Sequence, residues 1–304
     1  MQVFVRGVAD VPPTRAGALA AFASAALLAG CGSVRSARER IRGCIDVDVP
    51  SQQHLTVVAD SFRSRHVRGA VGYVLAHPDW IDPRSIDAAI YLLPGRGGTA
   101  RGTIDDLGFG AYFSRFRFGG KGHLPYVLIA ADAGETYFHR RASGENRLAM
   151  VMDELPEIVA RHTGARPRRE ALLGVSMGGY GALLAYARAP SRYRAVAVAG
   201  PALFTSYADE RASVGDAFDD ARDFAANDPG TACAAGGNIY VRCGASDPFA
   251  PAVRAFARRC PHARVEIVPG CHTDGFWRAS APTLLRFAQH YFNDERPWRP
   301  AKGS

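Results

Sequence analysis

The chain has 304 residues, of which 47% are hydrophobic and 22% charged, and this is enough for one domain with a large core. Its formal net charge is +8, but the arginines are scattered among acids and form no basic stripe with interleaved aromatic residues, which argues against nucleic-acid binding. Neither a Cys-x-x-Cys nor a His-x-x-x-His pair occurs, so we expect no zinc site and no other cofactor.

The first 30 residues have the pattern of an export signal. Arg6 and Arg15 precede an uncharged apolar stretch from 16 to 29, which is shorter than the roughly 20 residues of a permanent membrane span. The sequence Leu-Ala-Gly-Cys at 28–31 resembles a bacterial lipobox. We therefore predict cleavage before Cys31, lipidation of that cysteine, a polar tether over 31–50, and anchoring at the outer face of the cytoplasmic membrane. A chance cysteine in an Ala-rich leader is the alternative.

Residues 51–294 contain eight strand-like runs that alternate, after a first hairpin, with helical patterns. This order predicts one α/β domain with a mostly parallel sheet of about eight strands and helices on both faces. The predicted strands are His54–Ala59, Val67–Ala76, Ala88–Leu93, Tyr126–Ala131, Glu170–Val175, Ala195–Ala199, Ile239–Cys243 and Val265–Val268. The predicted helices are Arg147–His162, Tyr180–Arg188, Asp216–Ala225, Pro251–Arg259 and Trp277–Phe292. Residues 295–304 are expected to form a C-terminal tail.

The most specific motif is Gly-Val-Ser-Met-Gly at 174–178, between an apolar strand and an amphipathic helix. A nucleophilic serine requires such a strained strand-to-helix turn, called a nucleophile elbow. Glycine on either side of the serine avoids steric collisions across the turn. The flanking elements distinguish it from an ordinary Gly-rich turn, so we predict that Ser176 is a nucleophile.

The residues that would activate Ser176 should follow it in the order acid, then histidine. Asp247 and His272 both come just after a predicted strand, at the sheet edge where parallel sheets collect catalytic groups. Asp247 could instead serve only as a helix N-cap. Asp274 and Glu266 are competing acids, and His272 could be an ordinary loop residue.

An oxyanion hole would use the N–H of Met177 and a second N–H from the Gly-rich loop after the strand Ala88–Leu93. We assign this second donor to Arg96, with Gly97 next to it in the substrate pocket. A merely flexible glycine loop is the alternative.

Two loops at the same edge supply aromatic side chains that could line a substrate pocket. Tyr137 and His139 belong to the loop after the fourth strand, and Phe204 belongs to the segment 201–219, where a cap over the site would lie. Simple loop packing explains the first two residues equally well.

Export would place the remaining five cysteines in an oxidising compartment. Cys243 and Cys271 follow two strands expected to be neighbours, whereas Cys233 and Cys260 precede the same strands. We therefore predict the bridges Cys243–Cys271 and Cys233–Cys260, with Cys44 free.

The elbow Gly-Val-Ser-Met-Gly-Gly-Tyr-Gly-Ala-Leu, the Leu-Leu-Pro-Gly loop and the segment Gly-Cys-His-Thr-Asp-Gly-Phe-Trp resemble the esterase D and antigen 85 branch of the α/β-hydrolases, over residues 51–294. The resemblance implies hydrolysis of esters or thioesters, or acyl transfer to an alcohol, without a cofactor. It supports Ser176, Asp247 and His272 as a triad, with Met177 and Arg96 as backbone donors. Pro94 stands where the mycolyltransferases have an acidic residue that helps hold the sugar, which favours an esterase.

We therefore expect a membrane-anchored serine ester hydrolase that acts on a small-molecule or lipid ester. The first alternative is an acyltransferase that moves acyl chains to a sugar. The second is a non-catalytic lipoprotein that uses the fold to bind a ligand.

Overall fold

A computed structural model describes residues 43–44, 46–115, 125–293 and 297–298. Its strands form one eight-stranded sheet with the order β1-β2-β4-β3-β5-β6-β7-β8. β1 and β2 pair antiparallel, β2 pairs antiparallel with β4, and all other pairs are parallel, as the sequence predicted. The strands are β1 (Leu55–Arg63), β2 (Ala70–Pro78), β3 (Ala88–Leu93), β4 (Tyr126–Ala131), β5 (Arg169–Val175), β6 (Tyr193–Ala199), β7 (Ile239–Gly244) and β8 (Arg264–Val268).

Helices cover both faces of this sheet. They are α1 (Ala100–Ile104), α2 (Phe109–Phe113), α3 (Arg147–Ala149), α4 (Leu155–Thr163), α5 (Met177–Arg188), α6 (Tyr207–Ser213), α7 (Ala221–Ala226), α8 (Ala232–Ala235), α9 (Ala250–Arg259) and α10 (Asp274–Asn293). Short 3₁₀ turns occur at Pro83–Ser85 and Pro229–Thr231.

The central strands are buried on both faces, which is typical of a parallel sheet. In β3, Tyr91 and Leu93 face the core beneath α4, α5 and α9, whereas Ile90 and Leu92 face the core beneath α1, α2 and α10. All six residues of β3 are buried. Strand side chains alternate between two cores, so the sheet forms a rigid platform for the loops at its edges.

Three sequence predictions need correction. The helix predicted over Arg147–His162 is interrupted by a π-helical turn at Met150–Glu154. The helix predicted to begin at Asp216 begins at Ala221, because Asp220 is its N-cap. The Asp220 side chain accepts a hydrogen bond from the Asp223 N–H. The described part of the expected tether, up to residue 50, is packed on the domain, as detailed below.

The predicted signal peptide, Cys31 and most of the C-terminal tail lie outside the described residues. Within the described ranges, no helix is long and apolar enough to cross a membrane.

A buried ion pair fixes the N-terminal end of β5, the strand that leads to Ser176. Glu170 is 8% exposed and accepts hydrogen bonds from Tyr91 Oη at 2.5 Å and from Arg192 Nε at 2.6 Å. Arg192 Nη1 also donates to the carbonyl of Met152 in the π-helical turn. This network links β3, β5 and β6 below the site, and every charged group in it is paired.

Replacing Glu170 with Gln should lower the free energy of unfolding by about 3 kcal/mol, because Arg192 would remain half-buried without a counter-charge. Urea denaturation measures this change. The matched control is Glu157→Gln, which breaks an exposed pair with Arg65 and should leave the urea midpoint unchanged. Equal midpoints for Glu170→Gln and the unmodified protein would contradict this account of β5.

Candidate active site

Ser176 lies in the sharp turn between β5 and α5, and its backbone is in a strained conformation with φ = +52° and ψ = −122°. A Cβ added at Gly174 would overlap the carbonyl of Gly178, and one added at Gly178 would overlap the carbonyl of Leu93. Glycine is therefore a steric requirement at both positions. The turn holds the hydroxyl above the carboxyl edge of the sheet at the N-terminus of α5.

The structure places His272 and Asp247 in line with this hydroxyl. Ser176 Oγ lies 2.9 Å from His272 Nε2, and His272 Nδ1 lies 2.8 Å from Asp247 Oδ2. The Asp247 side chain is fully buried, whereas that of His272 is 20% exposed. The other carboxylate oxygen, Asp247 Oδ1, accepts a hydrogen bond of 2.8 Å from the Phe249 N–H. Asp247 thus shapes the turn before α9 and also orients the imidazole.

The two other acids that the sequence offered as partners of His272 do not take that position, since His272 Nδ1 contacts Asp247. Glu266 is in β8 and accepts hydrogen bonds from Tyr240 and Arg264. Asp274 is exposed at the start of α10 and lines the cleft beside Ser176.

Gly200, which follows β6, provides space for the Asp247–His272 pair. Its φ is +53°, and a Cβ there would lie 2.9 Å from Asp247 Oδ2 and 3.4 Å from His272 Nδ1. No sequence motif identified this residue. A glycine directly after a strand, at the edge that collects the catalytic groups, was the available signal.

Aromatic rings confine the imidazole on two sides. The ring centroids of Phe249 and Trp277 both lie 5.1 Å from that of His272, and both rings meet it edge-on. This packing limits rotation of His272 and keeps its Nε2 directed at Ser176.

The Gly-rich loop after β3 approaches Ser176. A Cβ at Gly95 would lie 3.5 Å from Ser176 Cβ. The N–H of Gly97 is already bonded to the carbonyl of Gly134, and that of Gly98 to the carbonyl of Gly95. Within the described residues the Arg96 N–H has no such acceptor, so it is available as a donor. Met177, the other predicted donor, is the first residue of α5.

The Arg96 side chain turns toward residues 201–219, which we call the cap segment. Its Nη2 lies 2.9 Å from Asp216 Oδ2 and 3.6 Å from Glu135 Oε2. These contacts connect the loop after β3 to two other loops and hold its backbone in place.

A cleft of about 390 Å³ opens beside Ser176. Gly97 lies in its wall, as predicted, and so do Arg96 and Trp277. Polar side chains line the cleft from α1, from the residues on either side of α1, and from the start of α10. They include Thr99, Thr103, Asp106 and Asp274.

Tyr137 and His139 do not line this cleft, which corrects their predicted role. They are 2% and 1% exposed. His139 Nε2 contacts Asp223 Oδ2 at 2.9 Å, and its ring stacks on Phe218. Burial lowers the pKa of His139, although Asp223 opposes the shift. Both side chains pack against the cap segment, Tyr137 on Phe204 and Phe218 and His139 on Phe218, and the backbone of residues 137 and 138 has positive φ.

Phe204 lines a separate apolar pocket of about 160 Å³ between the cap segment, α5 and α9. Its ring lies 5.6 Å from that of Phe249, which in turn contacts His272. Other apolar lining residues are Tyr180, Leu203, Phe218, Phe224, Ala252, Ala255 and Phe256. The pocket is therefore separated from the imidazole by two aromatic rings.

The cysteine pairing differs from the prediction at one bridge. Cys233 pairs with Cys260, as predicted, but Cys271 pairs with Cys44, and Cys243 is free. In the sheet, Cys243 is opposite Ile267, whereas Cys271 lies three residues beyond the end of β8. The two are thus offset along the strands, and the fully buried Cys243 side chain belongs to the core beneath α9.

Burial raises the pKa of the Cys243 thiol, and the nearby Asp247 carboxylate adds to this shift. The thiol therefore stays protonated and unreactive at neutral pH. Among the described residues, no group of three His, Cys, Asp or Glu side chains could hold a metal ion.

Residues 133–286, about half of the chain, match the family model described as "Putative esterase". The chain belongs to this esterase family. The match includes the elbow, Asp247 and His272. A search of curated proteins gave no match.

Solved structures show the same fold at low identity. A ferulic acid esterase is 16% identical with a TM-score of 0.65, and the match covers 79% of this chain and 99% of that one. An S-formylglutathione hydrolase from Agrobacterium tumefaciens is 14% identical with a TM-score of 0.65, covering 81% and 99%. MPT51 of Mycobacterium tuberculosis is 15% identical with a TM-score of 0.55, covering 76% and 100%. The esterase thus has the predicted α/β-hydrolase fold.

Replacing Gly200 with Ala should lower the kcat/KM of ester hydrolysis about 100-fold, because the added methyl group displaces the Asp247–His272 pair. Hydrolysis of p-nitrophenyl acetate measures this loss. The control is Gly69→Ala, where φ is also positive at +89° but no atom lies within 4 Å of the added Cβ. Equal losses in the two variants would show that backbone strain, and not displacement of the pair, is responsible.

Proposed function

We propose that this esterase is a serine carboxylic ester hydrolase that acts through an acyl-serine intermediate. The observation that carries the proposal is the continuous chain of hydrogen bonds from Ser176 Oγ through His272 to the buried Asp247. A non-catalytic binding protein would have no need for a strained serine aligned with a histidine and a buried acid.

In the proposed first step, Ser176 Oγ attacks the ester carbonyl carbon while its proton moves to His272 Nε2. Asp247 holds the Nδ1 proton of the imidazole and stabilises the imidazolium that forms. Collapse of the tetrahedral intermediate breaks the bond to the alcohol oxygen, which takes the proton from Nε2. Water then repeats the sequence on the acyl-serine, releasing the acid and restoring the serine.

The negative charge on the tetrahedral oxygen would be stabilised by the N–H groups of Met177 and Arg96. The position of Met177 at the N-terminus of α5 supports its assignment, because the helix dipole also favours negative charge there. Gly97 and Gly98 already donate to the carbonyls of Gly134 and Gly95, which supports the neighbouring Arg96 as the second donor.

The two cavities suggest different roles for the two parts of the substrate. The polar cleft of about 390 Å³ beside Ser176 suits the alcohol side of the ester. We assign the apolar pocket behind Phe204 and Phe249 to the acyl side, which requires these two rings to turn aside when an acyl group binds. Its volume of about 160 Å³ is close to that of an engineered cavity of about 150 Å³ that holds one benzene ring, so we expect a phenyl-sized acyl group.

Ser176→Ala should abolish hydrolysis of p-nitrophenyl esters, and Asp247→Asn should lower kcat about 10³-fold or more, because the imidazole loses its correct tautomer. The control is Glu266→Gln, which changes the competing acid on the neighbouring strand and should leave kcat unchanged. Turnover by Ser176→Ala equal to that of the unmodified enzyme would refute the proposal.

Replacing Ala255 with Phe should fill the apolar pocket and exclude the phenyl ring of a phenylacetyl ester. We expect kcat/KM for this ester to fall about 10-fold or more, because the loss of even one small apolar contact in a hydrophobic pocket lowers kcat/KM by about that factor. The acetyl ester serves as the internal control, since its acyl group is too short to enter the pocket. A uniform change for both esters would show that the pocket does not receive the acyl group.

A further inference from the structure

A segment before β1 runs across the catalytic edge of the sheet. We call residues 43–44 and 46–53 the N-terminal strap. Cys44 in the strap forms the bridge to Cys271, the residue directly before His272. The sequence predicted a polar tether up to residue 50 and an unpaired Cys44, so this link was not expected.

The strap lies directly on the turn that carries His272. A Cβ added at Gly43 would lie 2.8 Å from Pro269 Cβ and 3.0 Å from the Gly270 nitrogen. The Gly270 carbonyl in turn accepts a hydrogen bond from the Ser246 N–H, just before Asp247. The strap therefore closes the outer side of the turn, while the Asp247 loop closes the inner side.

The strap is also fixed beside the start of α10. Asp46 Oδ1 lies 2.9 Å from Arg278 Nη1, and Arg278 Nε donates a hydrogen bond of 2.8 Å to the carbonyl of Asp106. Asp106 and Trp277, the residue before Arg278, both line the cleft beside Ser176. One arginine thus joins the strap to two walls of the cleft.

Farther along, the strap packs against α2. Val49 Cγ1 would lie 3.0 Å from a Cβ at Gly108, and Gln52 Oε1 would lie 2.5 Å from one at Gly110. The Gln53 N–H donates to Ser114 Oγ at 3.4 Å. These contacts give the strap a defined path between the bridge and β1.

From these contacts we infer that the Cys44–Cys271 bridge is a positioning element of the active site, which holds the His272 turn against the catalytic edge. This inference rests on the proposed function of His272 as the base. Misplacement of a catalytic group by about 1 Å can cost about 100-fold in rate, so loss of a covalent link next to the base should reduce turnover.

The second bridge offers a matched control within the same chain. Cys233 and Cys260 lie before β7 and β8, at the opposite edge of the sheet from His272. This bridge closes a separation of 27 residues, whereas Cys44–Cys271 closes one of 227. Both bridges constrain the unfolded chain, but only one is adjacent to the proposed base.

The experiment compares the double variants C44S/C271S and C233S/C260S with the unmodified protein. Active sites are titrated with a fluorophosphonate, and kcat and KM for p-nitrophenyl acetate are expressed per titrated site. We expect both variants to melt at a lower temperature. Only C44S/C271S should lose kcat, by about 10- to 100-fold with KM changed less than about threefold, because the base is misplaced while the cleft remains.

Equal kcat per titrated site in C44S/C271S and the unmodified protein would overturn the inference, as would equal losses in both double variants. Ser176→Ala, which has no serine to titrate and is compared with the unmodified protein per mole of folded protein, separates this result from failure of the proposed function. If the unmodified protein and Ser176→Ala turn over equally, the proposed function fails and the inference fails with it.

A second measurement applies if C44S/C271S does not fold. C233S/C260S retains Cys44–Cys271, which dithiothreitol reduces by donating two electrons and forming its own cyclic disulfide, leaving two thiols on the protein. With folding monitored by near-ultraviolet circular dichroism, kcat should fall on reduction and return on reoxidation. Unchanged kcat after complete reduction, shown by alkylation of Cys44 and Cys271, would overturn the inference.

Discussion

The hydrogen bond between Ser176 Oγ and His272 Nε2 is the contact on which the proposed chemistry depends, and it joins residues 96 positions apart in the chain. A hydroxyl at neutral pH is a weak nucleophile unless a base takes its proton during attack. The sheet makes this contact possible because its parallel strands end at one edge. Each partner follows a different strand, so the distance between them is set by strand spacing and loop conformation.

Each loop at this edge has a constraint that fixes it. Ser176 is fixed by a backbone so crowded that only glycine fits at 174 and 178. Asp247 is fixed by the Phe249 N–H, and the His272 imidazole is held between aromatic rings. These constraints come from three separate stretches of the chain, 174–178, 247–249 and 272–277, which explains why a well-ordered site requires the whole domain.

The sequence was sufficient for features whose signals are local. The elbow could be predicted because steric crowding dictates its residue types, and Asp247 and His272 because each comes directly after a strand. The fold followed from the alternation of strands and helices. The bridge between Cys44 and Cys271 could not be predicted in this way, because it depends on the path of a segment without regular structure. The burial of Tyr137 and His139 was not predictable either, because it occurs in a loop where residues 137 and 138 have positive φ values that no local pattern indicated.

The central claim is that Ser176 is reactive because His272 is aligned with it, and covalent labelling tests this most directly. A fluorophosphonate is incubated with the protein, and the modified peptide is identified by mass spectrometry. The account predicts a single phosphonylated residue, Ser176, and loss of labelling in a folded His272→Ala variant. Labelling of Ser176 at the same rate in His272→Ala, or labelling of a different residue, would contradict it.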